Sequence, residues 1–388
     1  MIKNPVSVII VSYNDREIMS RCLGALTSQL TCAGDEIIVV DNGSTDGVLD
    51  DLRASADARR NALPSDSPCP LILIENGENA GFPVGCNIGF EAAAPGNDIF
   101  LLNNDAVLSE GALERLREAL YSAEDVGAAG AVSNNALEQT EPGISRDVPM
   151  DEALAYGAGL DLRRRYEYRS RLTGFAVLIK RSVADRLIRE DGYFLDPRFS
   201  PGYFEDEDLG VRVALAGYRQ ILCHDAFIYH KGGTGFASHP EAMERGRRKF
   251  IDKWGFDIWA YIGILDEYED AAAEYASPPV EPLRILEPDC GMGVNLAHLQ
   301  YLYPGSYAIG IEREPVLAKI AAQLIDVICA EPETALKNAL IPGTPESEVL
   351  LPESFDIIFA WDAAERSGDP AGFRDSLQKL LKPGGKLI

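Results

Sequence analysis

Three groups of residues carry side chains able to do chemistry, and each lies beside a run of apolar residues. Asn103-Asn-Asp105 follows Ile99-Phe-Leu-Leu102. Glu205-Asp-Glu-Asp208 precedes a stretch carrying Leu209, Val213 and Leu215, and His230 ends Ala226–Tyr229 and leads into Lys231-Gly-Gly-Thr-Gly235. A carboxylate flanked by amides can hold a hard divalent cation, and such a cation can neutralise a diphosphate. The other reading of 103–105 is a turn capping the next helix, with Ser109 as N-cap before Leu113, Leu116 and Leu120. Four acids at a helix start suit the macrodipole. Yet four like charges in a row repel and a cap requires one, so one of them is free to take a proton from a hydroxyl. His230 is one of only four histidines (His224, His230, His239, His298), and a glycine-rich loop follows it, of a kind suited to phosphate oxygens.

Elements must bring these groups together. Val6–Val11, Glu36–Val40, Leu71–Ile74 and Ile99–Leu102 read as strands buried on both faces, each ending in polar turn residues and alternating with helical stretches. That pattern means an α/β fold with a parallel sheet, whose ligands sit at the carboxyl ends of the strands. The first turn, Ser12-Tyr-Asn-Asp15, lacks Gly-x-Gly-x-x-Gly, so the dinucleotide version is excluded. Tyr13 can stack on a nucleobase or pack on the helix, and Asp41 can accept from a base or ribose or cap the Ser44–Asp46 turn. Gly127–Val132 and Thr173–Lys180 read as further strands, and Gln220–Cys223 and Ala226–Tyr229 as two more. Ser133–Arg171, with the basic run Arg163-Arg-Arg165, reads as a long functional loop on the acceptor side. The helix from Arg245 to Gly255 is basic, with a solvated face expected.

Composition narrows the classes. A formal charge of −25, from 36 basic and 61 acidic residues, argues against nucleic acid or an anionic membrane as the main partner. Seven scattered cysteines lack zinc spacing and fit a reducing compartment. With no long apolar run and no room for a secretion signal before the first strand, a soluble cytoplasmic protein is expected.

Taken in order, the pieces resemble glycosyltransferase family 2 enzymes of the GT-A fold over roughly residues 5 to 256. Val8–Asn14 is similar to the family's opening strand, and Ile37–Asp46 to its second nucleotide-contacting turn. Asn79-Ala-Gly-Phe82, with Gly85, Asn87 and Gly89, is similar to the segment before the metal motif. Asn103-Asn-Asp105 stands in place of Asp-x-Asp, with asparagine first, and Glu205–Leu209 matches Glu-Asp-x-Asp-Leu. The resemblance implies a metal-dependent inverting transfer of sugar from a nucleoside-diphosphate sugar to a hydroxyl of a glycan or glycoconjugate. It implies Asp206 as general base, and Mn2+ or Mg2+ held by Asp105 and His230 with Asn103. Nucleotide contacts would come from Ser12, Tyr13, Asn14, Asp41, Asn79, Gly81 and Asn104, and sugar or acceptor contacts from Thr173, Gly174 and Glu205.

Acidic, alanine-rich 265–282 reads as a linker between a domain over 1–264 and a second α/β unit over 283–388. That unit resembles the start of a class I S-adenosylmethionine-dependent methyltransferase, with Glu287, Gly291 and Gly293 in its first motif and Glu312 as the ribose-binding acid. Asp289 replaces the first glycine of that motif. The chain stops at Ile388 inside the expected fifth strand, which reads as a fragment of a longer protein. An architectural or docking role is the alternative to methylation. For the whole chain the alternatives are a nucleotidyltransferase, disfavoured by the missing glycine loop, and a non-catalytic nucleotide-sugar-binding scaffold. In a full-length chain, a bifunctional glycosyltransferase-methyltransferase is a further alternative.

Overall fold

The structure is a computed structural model and describes residues 4–62, 69–161, 166–232, 240–276, 282–361 and 363–388. Two units are present. The first comprises residues 1–166 and 171–258, the second 167–170 and 259–388.

In the first unit the apolar runs form the expected buried strands. The elements are β1 (Val6–Ser12), α1 (Arg16–Thr27), β2 (Glu36–Asp41), α2 (Val48–Ala62), β3 (Leu71–Glu75), α3 (Phe82–Ala92), β4 (Asp98–Leu102), β5 (Ala106–Leu108), α4 (Ala112–Leu120), β6 (Val126–Val132), α5 (Met150–Ala158), β8 (Ala176–Ile179), α6 (Arg181–Asp191), α7 (Glu205–Leu215), β9 (Arg219–His230) and α8 (Pro240–Trp254); β7 (Tyr166–Arg169) has all but its first residue in the second unit. The sheet order is β3-β2-β1-β4-β8-β6-β9-β5. β1 pairs in parallel with β2 and β4, and β2 with β3, while β8 runs antiparallel to both β4 and β6. The result is a mixed, mostly parallel α/β sheet. Helix α3 packs unusually close to β1: a Cβ on Gly89 would stand 2.5 Å from Ile9, and one on Gly85 2.8 Å from Val11. Asn87 fastens the same helix to Leu195 through both amide atoms at 2.8 Å. Those three residues therefore serve packing.

Several expectations are corrected. Ser109 does not cap α4; its hydroxyl donates to the Phe227 carbonyl at 2.7 Å, and the helix starts after Gly111. Just before Ser109, Ala106–Leu108 turns back as β5 and pairs antiparallel with the end of β9, Ala106 opposite His230. The two strands read from 220 to 229 are one, β9, with a register shift against β6 that passes over residues 224–226. The long loop contains helix α5, whose Ala153 and Gly157 are buried; Arg163–Arg165 and Gly233–His239 lie outside the described residues. Phe250 of the basic helix α8 is buried.

In the second unit, residues read as linker form α9 (Asp266–Tyr275), which buries Tyr268 and Ala272; 277–281 lie outside the described residues. Acidic composition concealed an amphipathic helix. Strands β10 (Arg284–Pro288), β11 (Tyr307–Glu312), β12 (Asp326–Cys329), β13 (Phe355–Ile358) and β14 (Leu381–Leu387) form a parallel sheet in the order β12-β11-β10-β13-β14. Helix α10 (Val294–Leu302) follows the turn after β10. No helix among the described residues is long and apolar enough to cross a membrane.

Candidate active site

The carboxyl ends of β1 and β2 make one polar wall. Asn14, at φ 63, accepts from Thr45 N through its side chain (2.9 Å), its own N–H donates to Ser44 Oγ (2.9 Å), and its carbonyl accepts from Asn104 (3.2 Å). Asp41 Oδ2 accepts from the backbone of Gly43 (3.1 Å) and Ser44 (3.0 Å). That is the turn-capping role, and it occupies one oxygen. Oδ1 of Asp41 and the hydroxyl of Ser12 are buried without a partner. Buried polar atoms are rarely left so. Tyr13 is half exposed beside them. Asn79 is used locally, its oxygen accepting from Gly81 N at 3.0 Å. Gly81, at φ 87, lies so close to Pro201 that a Cβ would stand 2.5 Å from that residue's Cα. Its carbonyl accepts from Asn42.

Asp105 and His230 meet where β5 pairs with β9. Oδ1 of Asp105 lies 3.3 Å from Nε2 of His230, and Oδ2 accepts from Gly232 N at 3.0 Å. Nδ1 of His230 is 2.7 Å from the Asn135 carbonyl, so it carries a proton. Nε2 then either bears a second proton or turns a lone pair toward a carboxylate oxygen. The second state is repulsive unless a cation lies between them. Asn103 completes the corner, its amide nitrogen 3.3 Å from Nε2, so that a cation would take the oxygen of that amide with the group turned over. Cis ligands of a six-coordinate Mg2+ or Mn2+ with ~2.1 Å bonds stand ~3 Å apart, so this donor set fits such an ion. No group of three His, Cys, Asp or Glu side chains placed to hold a metal ion occurs among the described residues. The remaining ligands would come from the amide, water and the donor's phosphates. Burial opposes both charges, yet each partner outweighs it. Asp105 is held below the usual carboxylate range, and His230 is raised above the usual imidazole value.

The acids of α7 divide their work. Asp208 is structural: fully buried, it binds Arg212 (2.8 Å), Lys253 (2.5 Å) and Trp254 Nε1 (3.0 Å). Asp206 accepts from Gly174 N (3.1 Å) and Glu207 N (3.0 Å) and remains partly open to solvent. Burial pushes it up, but the Glu207 hydrogen bond, Arg171 and these main-chain donors carry it below the usual range. Burial and the charge of Asp206 push Glu205 up to about 8.

One short segment joins the two halves. Gly174 N holds Asp206; the next residue, Phe175, stacks its ring 5.0 Å from that of His230, and its carbonyl accepts from Asn103 N at 2.8 Å. Thr173, before them, donates its N–H to Gln139. Asp206, His230 and Asn103 are thus linked through residues 174 and 175, with Asp105 on His230. Sequence reasoning passed over Arg171, Asn134 and Asn135. Asn134 pins the His230 backbone from both sides (2.9 and 3.2 Å). An Asn-Asn pair at the end of β6, like that after β4, was the available signal.

In the second unit the residues singled out hold one another. Both oxygens of Glu312 accept main-chain N–H groups, from Gly291 and Glu314, each at 2.8 Å. A Cβ on Gly291 would lie 2.6 Å from the Tyr261 ring, and one on Gly293 would meet Ile325 at 2.8 Å, so both positions are closely packed. Glu287 accepts from the Tyr268 hydroxyl, and burial pushes its carboxyl up to about 8. Asp289 adopts φ 59 and turns its carboxylate to Arg313 and Arg366. These contacts lend no support to S-adenosylmethionine binding in this unit.

The family model described as "Glycosyl transferase family 2" matches residues 7–188. The chain is 37% identical over 280 residues to Glycosyltransferase AglE of Haloferax volcanii, spanning 67% of this chain and 81% of that protein. Among solved structures it is similar to mannosyltransferase PcManGT from Pyrobaculum calidifontis in complex with GDP-Man and Mn2+ (18% identity, 90% of this chain and 79% of that one, TM-score 0.47). It is also similar to glucosyl-3-phosphoglycerate synthase from Mycobacterium tuberculosis in complex with Mn2+, UDP-Glc and glycerol 3-phosphate (15%, 65% and 81%, TM-score 0.42). With its motif residues gathered at one sheet edge and this extent of shared sequence, the chain belongs to glycosyltransferase family 2 and is a glycosyltransferase.

Proposed function

We infer that the first unit transfers a sugar from a nucleoside-diphosphate sugar to a hydroxyl of a glycan or glycoconjugate, with inversion. The observation that carries this reading is the link through Gly174 and Phe175, which ties the ionised carboxylate of Asp206 to the Asp105–His230 corner. Ser12, Asp41 and Asn14 line the nucleotide end, with Asp41 Oδ1 free to accept from base or ribose. Asp105, His230 and Asn103 would hold Mn2+ or Mg2+, which when bound supplies positive charge to the departing diphosphate. Asp206, ionised and fixed by two main-chain donors, takes the proton of the acceptor hydroxyl. The oxygen attacks the anomeric carbon from the face opposite the diphosphate. Its transition state is oxocarbenium-like, and one displacement inverts the configuration. Thr173, Gly174 and Glu205 border the sugar and acceptor side. The second unit is proposed as an architectural or docking domain of the chain.

The test is Asp206→Asn. It removes the base and keeps the shape, so nucleoside diphosphate release from a panel of UDP-, GDP- and TDP-sugars with Mn2+ should fall ~10²–10⁴-fold. Nucleotide-dependent thermal stabilisation should persist. Turnover near the wild-type rate would place the base elsewhere.

A further inference from the structure

We propose that Arg171 is the positioning residue of Asp206: the buried guanidinium that keeps the single negative charge of a three-carboxyl cluster on that side chain. The proposal rests on the reading of Asp206 as base.

Glu205, Asp206 and Glu207 stand in succession at the start of α7. The Arg171 side chain is 6% exposed, with Nη1 3.8 Å from Asp206 Oδ2, 3.6 Å from Glu207 Oε1 and 3.4 Å from Thr173 Oγ1, to which it donates. Asp208 does not compete for it, being neutralised by Arg212 and Lys253. One cation therefore faces two of the three carboxyls, Asp206 and Glu207, and one charge can be compensated.

The hydrogen bonds say which carboxyl carries it. Oε2 of Glu205 and Oε2 of Glu207 are each sealed from solvent without a partner. A carboxylate oxygen left bare in that way is costly, whereas a neutral carboxyl tolerates it. Asp206 instead accepts two main-chain N–H groups. Glu207, driven well above the carboxylate range by burial and by Asp206, hydrogen bonds to Asp206 as the protonated member. The other titratable groups facing the cluster are Cys86 of α3 and Tyr203. Burial, and then Glu205, drives both upward, so both stay neutral at pH 7. Arg171 is thus the cation that decides whether the shared proton sits on Glu207 or on Asp206. Without it the proton moves onto the base.

The test labels the full chain with 13C-carboxyl aspartate and assigns Asp206 from the signal missing in Asp206→Asn. In the wild type this carboxyl should titrate below the ordinary carboxylate range. In Arg171→Gln it should move up by a full pH unit or more, while Arg171→Lys, which keeps the charge, should restore most of the difference. The acidic limb of nucleoside diphosphate release, with the donor the sugar-nucleotide panel selects and Mn2+, should move with it. A folded Arg171→Gln protein whose Asp206 titrates as in the wild type overturns the proposal. Should that variant not fold, the wild-type titration decides: Asp206 titrating at or above the ordinary range overturns it equally. If Asp206→Asn keeps turnover, the base assignment falls and the titration result stands by itself. If Asp206→Asn is inactive and Arg171→Gln titrates normally, only the role of Arg171 falls.

Discussion

Gly81 ties the nucleotide wall to the loop that delivers Asp206, and replacing it by alanine should damage both. At φ 87 and ψ 169 its backbone lies in a region that is essentially glycine-only, so any side chain costs of order 1–3 kcal/mol in strain. The new Cβ would also stand 2.5 Å from Pro201 Cα and 2.8 Å from its carbonyl oxygen. Backbone atoms cannot rotate away as a side chain can. The loop must retreat by roughly 1 Å, and overpacking of this kind adds about 1–3 kcal/mol. A loss of about 2–6 kcal/mol is expected. The retreat breaks the Phe82 N–Pro201 O hydrogen bond (2.8 Å) and moves the chain just ahead of Phe204 and Asp206. A ~1 Å misplacement of catalytic groups can cost ~10²-fold in rate. Gly77→Ala is the control: its φ is also positive, at 75, but nothing lies within 4 Å of the added Cβ. It should cost ~1–2 kcal/mol and leave the rate alone. Urea unfolding followed by Trp254 fluorescence, in a chain with Trp259 and Trp361 changed to Phe, reads the first unit. Nucleoside diphosphate release reads the rate. Equal stability and equal rate for the two variants would refute the reasoning.

Further outcomes are expected from the same contacts. A joint thermal shift with Mn2+ and one nucleoside diphosphate should appear in the wild type, and Asp105→Ala should remove its metal-dependent part while keeping the nucleotide part. Arg212→Met should destabilise the first unit by about 1–3 kcal/mol, because the fully buried Asp208 loses one of its two cations and keeps Lys253. Arg212→Met with Asp208→Leu should cost less than the sum of the two single changes; an additive double variant in urea melts would contradict the pairing. Asp356 is held below the usual carboxylate range: burial opposes this, but Lys382 at 2.7 Å, Arg284 N and Tyr275 outweigh it. Its folded-state value being depressed, its stabilisation is present above ~pH 4 and is lost as pH falls through the lower folded value. Lys382→Met should flatten that acid loss, measured by circular dichroism between pH 5 and 2.

The parts of the site that sit at strand ends were legible because a buried parallel strand reads as an uninterrupted apolar run, and its polar terminus marks the ligand edge. Asn103–Asp105, Asp41 and His230 all announce themselves in that way. What was illegible depends on non-local pairing. β5 is three residues long, and only its antiparallel partner β9 makes it a strand. The register shift over 224–226 divided β9 into two apparent strands, since its polar residues look like a turn. Helix α9 was concealed by its acids, although Tyr268, Ala271 and Ala272 share one buried face. Arg171 stood in a stretch read as loop, and nothing in its neighbours announces the carboxyls thirty-five residues away.

The tripeptide 173–175 has a mechanical consequence. Because successive residues of one short segment hold the Asp206 carboxylate on one side and the His230 imidazole on the other, a displacement of that segment would carry both together. If Asp206 is the base proposed above, the spacing between the two ends of the site is set by two adjoining peptide units and not by the loops around them.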